Sequence, residues 1–179
     1  MSIIRVSSSL FLGLLFAVAQ AVPPTPAEAK GIHWLSFEEM QKAQKVKPKK
    51  VIIDIYTDWC GWCKRMDKNT FENPAVAQYV NEHFYAVKFN AESKIPVQFN
   101  GKEYTNPNRY HDLAIFLMNG QAGFPTSVYL DSNLKPLTAP IASYLDAKQF
   151  ETIINYLNTE SFKTTPFDKY QEQFKGKVQ

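Results

Sequence analysis

The chain contains two cysteines, Cys60 and Cys63, and their spacing is suited to redox chemistry. A Cys-X-X-Cys pair closes a short ring that opens and shuts readily. Val51–Tyr56 has the pattern of a buried strand, and Cys60–Asn69 has helical composition. Free N–H groups and a partial positive charge at the start of a helix stabilise a thiolate. The pattern therefore predicts Cys60 as the attacking sulfur and Cys63, one turn further on, as the resolving sulfur.

Other uses of the two thiols are less compatible with the sequence. Two thiolates do not complete a tetrahedral metal site, and His33, His83 and His111 have no ligand-like spacing, so each is interpreted as a surface or packing residue. Covalent haem attachment would need a histidine where Lys64 stands. We therefore predict no metal and no cofactor. A carrier that binds Cu(I) through the cysteine pair remains an alternative.

The N-terminus predicts export from the cytoplasm. Arg5 supplies a positive charge, Leu10–Ala19 is apolar, and Ala19 and Ala21 are small residues at the cleavage-defining positions. This pattern predicts a signal peptide over residues 1–21 and a periplasmic or secreted protein. After cleavage no stable membrane insertion is expected, although an uncleaved membrane anchor is the alternative.

The composition is that of a globular protein with one main domain. Of the 179 residues, 45% are hydrophobic and 14% aromatic, and the net charge of +3 is too small to indicate a nucleic-acid binder. We predict an N-terminal lead-in over 22–35, the main domain over 36–160 and a C-terminal extension over 161–179.

Hydrophobic periodicity and turn residues predict an α/β fold, with a sheet covered on both faces by helices. Predicted strands cover 51–56, 84–89, 126–130 and 137–142. Predicted helices cover 36–45, 60–69, 73–83, 107–118, 146–158 and 167–175. The irregular link over 90–106 is expected to contain a small hairpin that turns at Gly101.

Three segments, in the same order along the chain, resemble the thioredoxin superfamily. Asp54–Lys64 resembles its active-site strand and turn, Val87–Asn90 its lysine-bearing strand, and Gly123–Thr126 its cis-proline loop. The resemblance implies a thioredoxin fold with a central mixed sheet. More narrowly, the chain is similar to exported bacterial thioredoxin-like proteins of the thiol–disulfide interchange and reductase types.

The resemblance also implies roles for site residues. Asp54 would exchange a proton with Cys63 through water, next to Lys88, and burial would raise its pKa. The alternative is a buried acid that pairs with Lys88 for structural reasons. Pro125, if cis, would leave the backbone of the loop free to pair with an extended substrate. The residues expected to contact substrate are Trp59, Gly61, Trp62, Phe124, Pro125 and Thr126.

The most favoured function is a disulfide reductase or interchange protein. Its expected partners are exported proteins with disulfides or thiols, and a membrane electron donor that re-reduces Cys60 and Cys63. Trp62 stands where thioredoxin has proline, and the residues between the cysteines influence the reduction potential. A dithiol oxidase therefore remains an alternative, as does a non-catalytic binding module built on the same fold.

Overall fold

The computed structural model describes residues 31–178; the predicted signal peptide lies outside this range. The strands are β1 Trp34–Leu35, β2 Lys50–Tyr56, β3 Phe84–Asn90, β4 Val97–Phe99, β5 Lys102–Tyr104 and β6 Thr126–Leu130. The α-helices are α1 Phe37–Val46, α2 Gly61–Met66, α3 Pro74–His83, α4 Asp112–Leu117, α5 Ala147–Asn158 and α6 Phe167–Gln173. Within the described range, no helix has the length and apolar character needed to cross a membrane.

A four-stranded mixed sheet forms the centre of the fold, in the order β1-β3-β2-β6. β1, β3 and β2 run parallel, whereas β6 is antiparallel to β2. The register places Asp54 opposite Lys88 on one side and opposite Ser127 on the other. The predicted mixed sheet is confirmed, and its register determines which side chains surround Asp54.

Helices cover both faces of this sheet, as predicted. On one face, residues of the strands pack against α2, α3 and α5 through Ile52, Met66, Phe71, Val80, Tyr129, Phe150 and Ile154. On the other face they pack against α1 and α4 through Phe37, Met40, Ile53, Phe89, Leu113 and Val128. β2 is therefore buried from both sides, which explains its nearly continuous apolar sequence.

The predicted capping residues begin their helices. Ser36 and Asp146 each form a reciprocal capping box with the third residue of the helix that follows. The Asn73 side chain accepts hydrogen bonds from two N–H groups at the start of α3, where Pro74 occupies the first position. These caps are encoded by residues close together in the sequence, and they determine the residue at which each helix begins.

The predicted helix over 107–118 begins later than expected. Its first residue is Asp112, because His111 is the N-cap and its Nδ1 accepts a hydrogen bond from the Leu113 N–H at 3.1 Å. His111 is fully buried, and its ring meets the edge of Phe89 at a centroid distance of 5.1 Å. Tertiary burial of this imidazole therefore overrides the N-terminal signal of Pro107.

The predicted strand over 137–142 does not form as a strand. The segment only makes isolated bridges to β6, between Ile141 and Ser127 and between Pro136 and Leu130. Pro136 and Pro140 have no N–H group to donate, so they interrupt a continuous ladder. The chain still follows the edge of β6, but it does not extend the sheet.

The link after β3 contains the predicted hairpin. β4 and β5 pair antiparallel, and Asn100 and Gly101 join them with φ values of 51° and 76°. The Gln41 side chain holds this hairpin to α1 by donating to the Gln98 carbonyl at 2.8 Å. The link is therefore anchored to the main domain.

Candidate active site

Cys60 and Cys63 form a disulfide at the start of α2. Cys60 is the N-cap of the helix, and its Sγ accepts a hydrogen bond from the Cys63 N–H at 3.1 Å. Cys63 is the more deeply buried of the two, with 2% exposure against 5% for Cys60. The hydrogen bond reaches the same sulfur that the sequence assigns as the attacking thiolate, and it would stabilise negative charge there.

The structure brings Asp54 and Lys88 together on β2 and β3, and β2 leads directly into the cysteine turn. Asp54 is 1% exposed, and its Oδ2 accepts a hydrogen bond from Lys88 Nζ at 2.9 Å. Burial raises the pKa of Asp54, although the positive charge of Lys88 opposes this effect. A carboxyl group in this environment can bind and release a proton closer to neutral pH than an exposed one.

Asp67 is a third member of this charge cluster, and the sequence analysis did not identify it. Its Oδ1 accepts from Lys88 Nζ, so Lys88 joins a buried carboxylate to a partly exposed one. Burial lowers the pKa of Lys88, but the two carboxylates outweigh burial and raise it overall. The Lys88 Nζ also lies about 5 Å from the ring centroids of Trp34, Tyr56 and Phe71.

A π-helix over Asp67–Phe71 continues α2 and positions this extra carboxylate. The sequence predicted one continuous helix over 60–69, and its helical composition gave no sign of the wider turn. π-Helical turns recur at functional sites. A charged residue close after the cysteines, in the helix that follows them, was the only signal for Asp67.

The predicted loop before β6 has a cis peptide bond between Phe124 and Pro125. The ring of Phe124 meets the edge of Trp59 at a centroid distance of 5.9 Å, so the loop lies beside the cysteine turn. Thr126 is fully buried, and its hydroxyl donates to the Gly123 carbonyl at 2.7 Å. The Thr126 side chain therefore supports the loop from below rather than contributing to its surface.

An aromatic rim surrounds the disulfide. Trp59 and Trp62 are 57% and 54% exposed, whereas a Cβ at Gly61 would meet no atom within 4 Å. Trp62 contacts Tyr144 at 5.4 Å between ring centroids, a neighbour that the sequence analysis missed. These residues form an open apolar surface next to the cysteine pair.

The segment between β3 and α4, which includes the irregular link, supports one side of this rim. Trp59 Nε1 donates to Glu92 at 3.0 Å, and the Arg109 guanidinium lies 5.7 Å from the Trp59 ring. Tyr110 packs against Phe124 at 5.3 Å between centroids. The long link therefore has a structural role at the site that its irregular sequence did not reveal.

Comparison with protein families gives one match over nearly the whole chain. Residues 25–175 match the family Thioredox_DsbH, described as "Protein of unknown function, DUF255". The match includes the cysteine turn, the charge cluster and the cis-proline loop.

Curated relatives and solved structures also resemble the chain. The Caenorhabditis elegans "Uncharacterized protein B0495.5" is 30% identical over 72% of this chain and 17% of its own length. The "Thiol:disulfide interchange protein DsbD" of Actinobacillus pleuropneumoniae is 30% identical over 69% and 20%, respectively. The chain thus spans about a fifth of these relatives. The structure of a DsbH oxidoreductase superposes with a TM-score of 0.55 at 18% identity, covering 77% of this chain and 92% of that one, and it shows the same fold.

Proposed function

Because the chain belongs to the thioredoxin-like Thioredox_DsbH (DUF255) family, we propose that it is an exported thiol–disulfide oxidoreductase. It acts as a disulfide reductase or interchange protein through Cys60 and Cys63. The observation that carries this proposal is the Cys60–Cys63 disulfide, which lies at a helix start next to the cis-proline loop and follows the strand that carries the buried Asp54, the partner of Lys88.

The reaction consists of two exchanges between sulfur atoms. In the reduced protein, the Cys60 thiolate attacks one sulfur of a substrate disulfide, which forms a mixed disulfide and releases the other substrate sulfur as a thiolate. The Cys63 thiolate then attacks Cys60 Sγ and releases the second substrate sulfur. Two electrons pass to the substrate, two protons complete its thiols, and the protein is left in the oxidised state that the structure shows.

Asp54 accepts the proton that Cys63 loses in the second exchange. Cys63 is almost fully buried. Its thiol reacts only after it has lost its proton, because the thiolate is the nucleophile. Asp54 accepts this proton, through water, because burial raises the pKa of its carboxyl group. Lys88 keeps the carboxylate in place and supplies a compensating charge.

The aromatic rim receives the substrate chain. Trp59 and Trp62 offer apolar surface for an extended or unfolded segment, while Gly61 leaves room close to Cys60. The backbone at Phe124 and Pro125 offers a strand-like edge for pairing with the same segment. The buried Thr126 holds this edge in place.

We place this activity in the periplasm or outside the cell, on the evidence of the signal-peptide pattern over residues 1–21. The partners are exported proteins that contain disulfides or thiols. Because the periplasm has no thiol buffer, a membrane electron donor returns the protein to its dithiol form. The relative DsbD is named a thiol:disulfide interchange protein. The segment of DsbD that matches this chain is about a fifth of the DsbD sequence.

The equilibrium reduction potential of the Cys60–Cys63 couple tests the direction of transfer. The potentials of this kind of centre extend from about −270 mV for thioredoxin to about −120 mV for a strong oxidant. A reductase predicts a value near the lower limit. A value near the upper limit would contradict the reductase and favour the dithiol oxidase.

Trapping of mixed disulfides tests whether Cys60 attacks substrates at all. The Cys63→Ser variant retains the attacking sulfur but has no resolving sulfur, so it should accumulate covalent adducts with exported proteins. The Cys60→Ser variant is the matched control and should accumulate far fewer. Equal adduct yields from the two variants would contradict the assigned roles.

A further inference from the structure

Among residues 31–178, three of the buried side-chain polar atoms without a hydrogen-bond partner belong to strands β2 and β6. They are Asp54 Oδ1, the Ser127 hydroxyl and the Tyr129 hydroxyl. In the pairing of β2 with β6, Asp54 lies opposite Ser127, and Ile52 lies opposite Tyr129. Since side chains alternate along a strand, all three project from the same face of the sheet.

The electrostatics of Tyr129 agree with this placement on one face of the sheet. Burial raises the pKa of Tyr129, the Ser127 hydroxyl lowers it, and the negative charge of Asp54 raises it further. Tyr129 is also two residues from Ser127 on the same strand face. Ser127 and Tyr129 therefore share the face of the sheet on which Asp54 lies.

Buried hydroxyl and carboxylate oxygens of this kind are normally satisfied, since each one left unpaired costs free energy. A single water molecule can make about three hydrogen bonds to such groups. Here the three groups come from two adjacent strands, and Asp54 Oδ2 is already held by Lys88 on the other side. The remaining oxygen of Asp54 thus lies on the same sheet face as two hydroxyls that, like it, have no hydrogen-bond partner in the described chain.

We propose that Ser127 and Tyr129 hold one buried water molecule against Asp54 Oδ1, and that this water orients the carboxylate that takes up the proton of Cys63. This inference rests on the proposed role of Asp54. During the transfer, the S–H bond of Cys63 breaks and an O–H bond forms on Asp54. The held water then changes from hydrogen-bond donor to acceptor. Ser127 and Tyr129 are positioning residues, because they act through Asp54.

The other charged and titratable groups around Asp54 are unchanged in the variants that test this site. Lys88 faces Asp54 from β3, Asp67 faces it from the π-helix, and Tyr56 lies two residues away on β2. Lys88 lowers the pKa of Asp54 and Asp67 raises it, and neither residue belongs to the hydroxyl pair. A change seen on removal of one hydroxyl is therefore assigned to the water site.

Titration of the Asp54 carboxyl carbon by NMR in the oxidised full chain tests the proposal. Tyr129→Phe and Ser127→Ala should each raise the pKa of Asp54 by about one pH unit, the effect of losing a hydrogen bond to a charged group. Tyr156→Phe is the matched control, because it removes a phenol hydroxyl that donates to the Thr165 carbonyl instead. The control should leave the titration of Asp54 unchanged.

Thermal unfolding provides a second measurement, because the direction in which Tyr129→Phe shifts the unfolding midpoint distinguishes a paired from an unpaired hydroxyl. If the Tyr129 hydroxyl binds the water, Tyr129→Phe should lower the midpoint of unfolding. If the hydroxyl is unpaired, the same change should leave the midpoint unchanged or raise it. An unchanged pKa of Asp54 in both variants, or an unchanged or raised midpoint in Tyr129→Phe, would overturn the proposal.

The same variants separate this inference from the proposed function. A shifted pKa of Asp54 with an equal shift in the pH profile of mixed-disulfide resolution supports both. A shifted pKa with an unmoved pH profile supports the water site and contradicts the role of Asp54 in the reaction. An unmoved pKa in a protein whose activity still requires Asp54 overturns only the water site.

Discussion

At the scale of residues, the site depends on three charges that share a small, partly buried volume. Lys88 holds the buried Asp54 and the partly exposed Asp67 at the same time. For Asp54, burial and the negative charge of Asp67 raise the pKa, whereas Lys88 lowers it. Because each contribution has a known sign, single substitutions shift the proton affinity of Asp54 in predictable directions.

Asp54→Asn removes the proposed proton acceptor and keeps its shape. We expect resolution of the mixed disulfide at neutral pH to slow about 100-fold, a typical effect of losing a positioned acid–base group. Rapid-mixing measurements with a disulfide peptide would give the rate. The control is Asp58→Asn, which removes an exposed carboxylate that bonds to Asn90. Equal rates in the two variants would show that Asp54 has only a structural role.

Asp67→Asn removes a negative charge from the cluster. Within residues 31–178, Asp54 is then the one carboxylate that forms an ion pair with Lys88. Both effects favour the carboxylate form of Asp54, so the pKa of Asp54 should fall and the pH midpoint of resolution should move down. This direction is opposite to that expected for Tyr129→Phe. A pH–rate profile of the variant provides the check, and an upward movement would contradict the arrangement of charges described above.

At the scale of elements, buried polar side chains determine where segments begin and how they dock. His111 begins α4 through Nδ1, and its Nε2–H donates to the Ile95 carbonyl at 3.1 Å, so the ring is neutral. This pair of hydrogen bonds joins α4 to the link that supports Trp59. In a similar way, Glu151 on α5 accepts hydrogen bonds from the N–H groups of Lys177 and Val178 in the C-terminal tail.

The buried imidazole predicts a loss of stability in mild acid. Burial lowers the pKa of His111 below its ordinary value of 6.5, so the unfolded chain binds more protons between the two values. The free energy of unfolding should therefore fall as the pH drops from about 6.5 toward the folded-state pKa. Urea unfolding at several pH values measures this slope. His111→Asn, which can still cap a helix, should flatten the slope, whereas His83→Asn, which changes a partly exposed ring, should not.

Glu151→Gln should loosen the C-terminal tail. An amide has one acceptor oxygen for two N–H donors and no negative charge, so we expect a loss of about 1–2 kcal/mol. Faster hydrogen exchange at residues 176–178, together with chemical unfolding, would report the change. Gln171→Glu on the adjacent helix is a suitable exposed control. Unchanged exchange in Glu151→Gln would show that aromatic packing of α6 alone holds the tail.

At the scale of the whole molecule, the fold gathers aromatic side chains from distant parts of the chain around one disulfide. Trp59 and Trp62 come from the cysteine turn, Phe124 from the cis-proline loop and Tyr144 from the segment before α5. The result is an apolar surface close to the two sulfurs. Under the proposed function, such a surface would bind protein substrates in preference to small disulfides.

Trp62→Ala should distinguish the two classes of substrate. We expect the rate with an unfolded, disulfide-bonded protein to fall about tenfold, since a large exposed aromatic contributes one of the strong contacts. The rate with a small aromatic-free disulfide should change much less. Phe116→Ala removes another exposed aromatic ring, located on α4, and should affect neither rate. Equal losses for both substrates in Trp62→Ala would contradict a docking role.

The sequence by itself determined the local features of this protein. The cysteine spacing, the charge inside β2, the capping boxes at Ser36 and Asp146, and the turn at Gly101 all depend on residues that are neighbours in the chain. The order of strands and helices follows from periodicity, which is also local. For this reason a sheet with helices on both faces was predictable, whereas its mixed strand directions were implied by the resemblance to the thioredoxin superfamily.

Only the tertiary structure decided which groups meet around the buried carboxyl. Asp67, Ser127 and Tyr129 approach Asp54 because of a π-helical turn and the β2–β6 register, and neither follows from local preference. Burial of His111 likewise set the start of α4, against the signal of a nearby proline. Contacts between distant segments have energies comparable to local propensities. They therefore determine where a helix begins and which side chains meet when local preference does not decide.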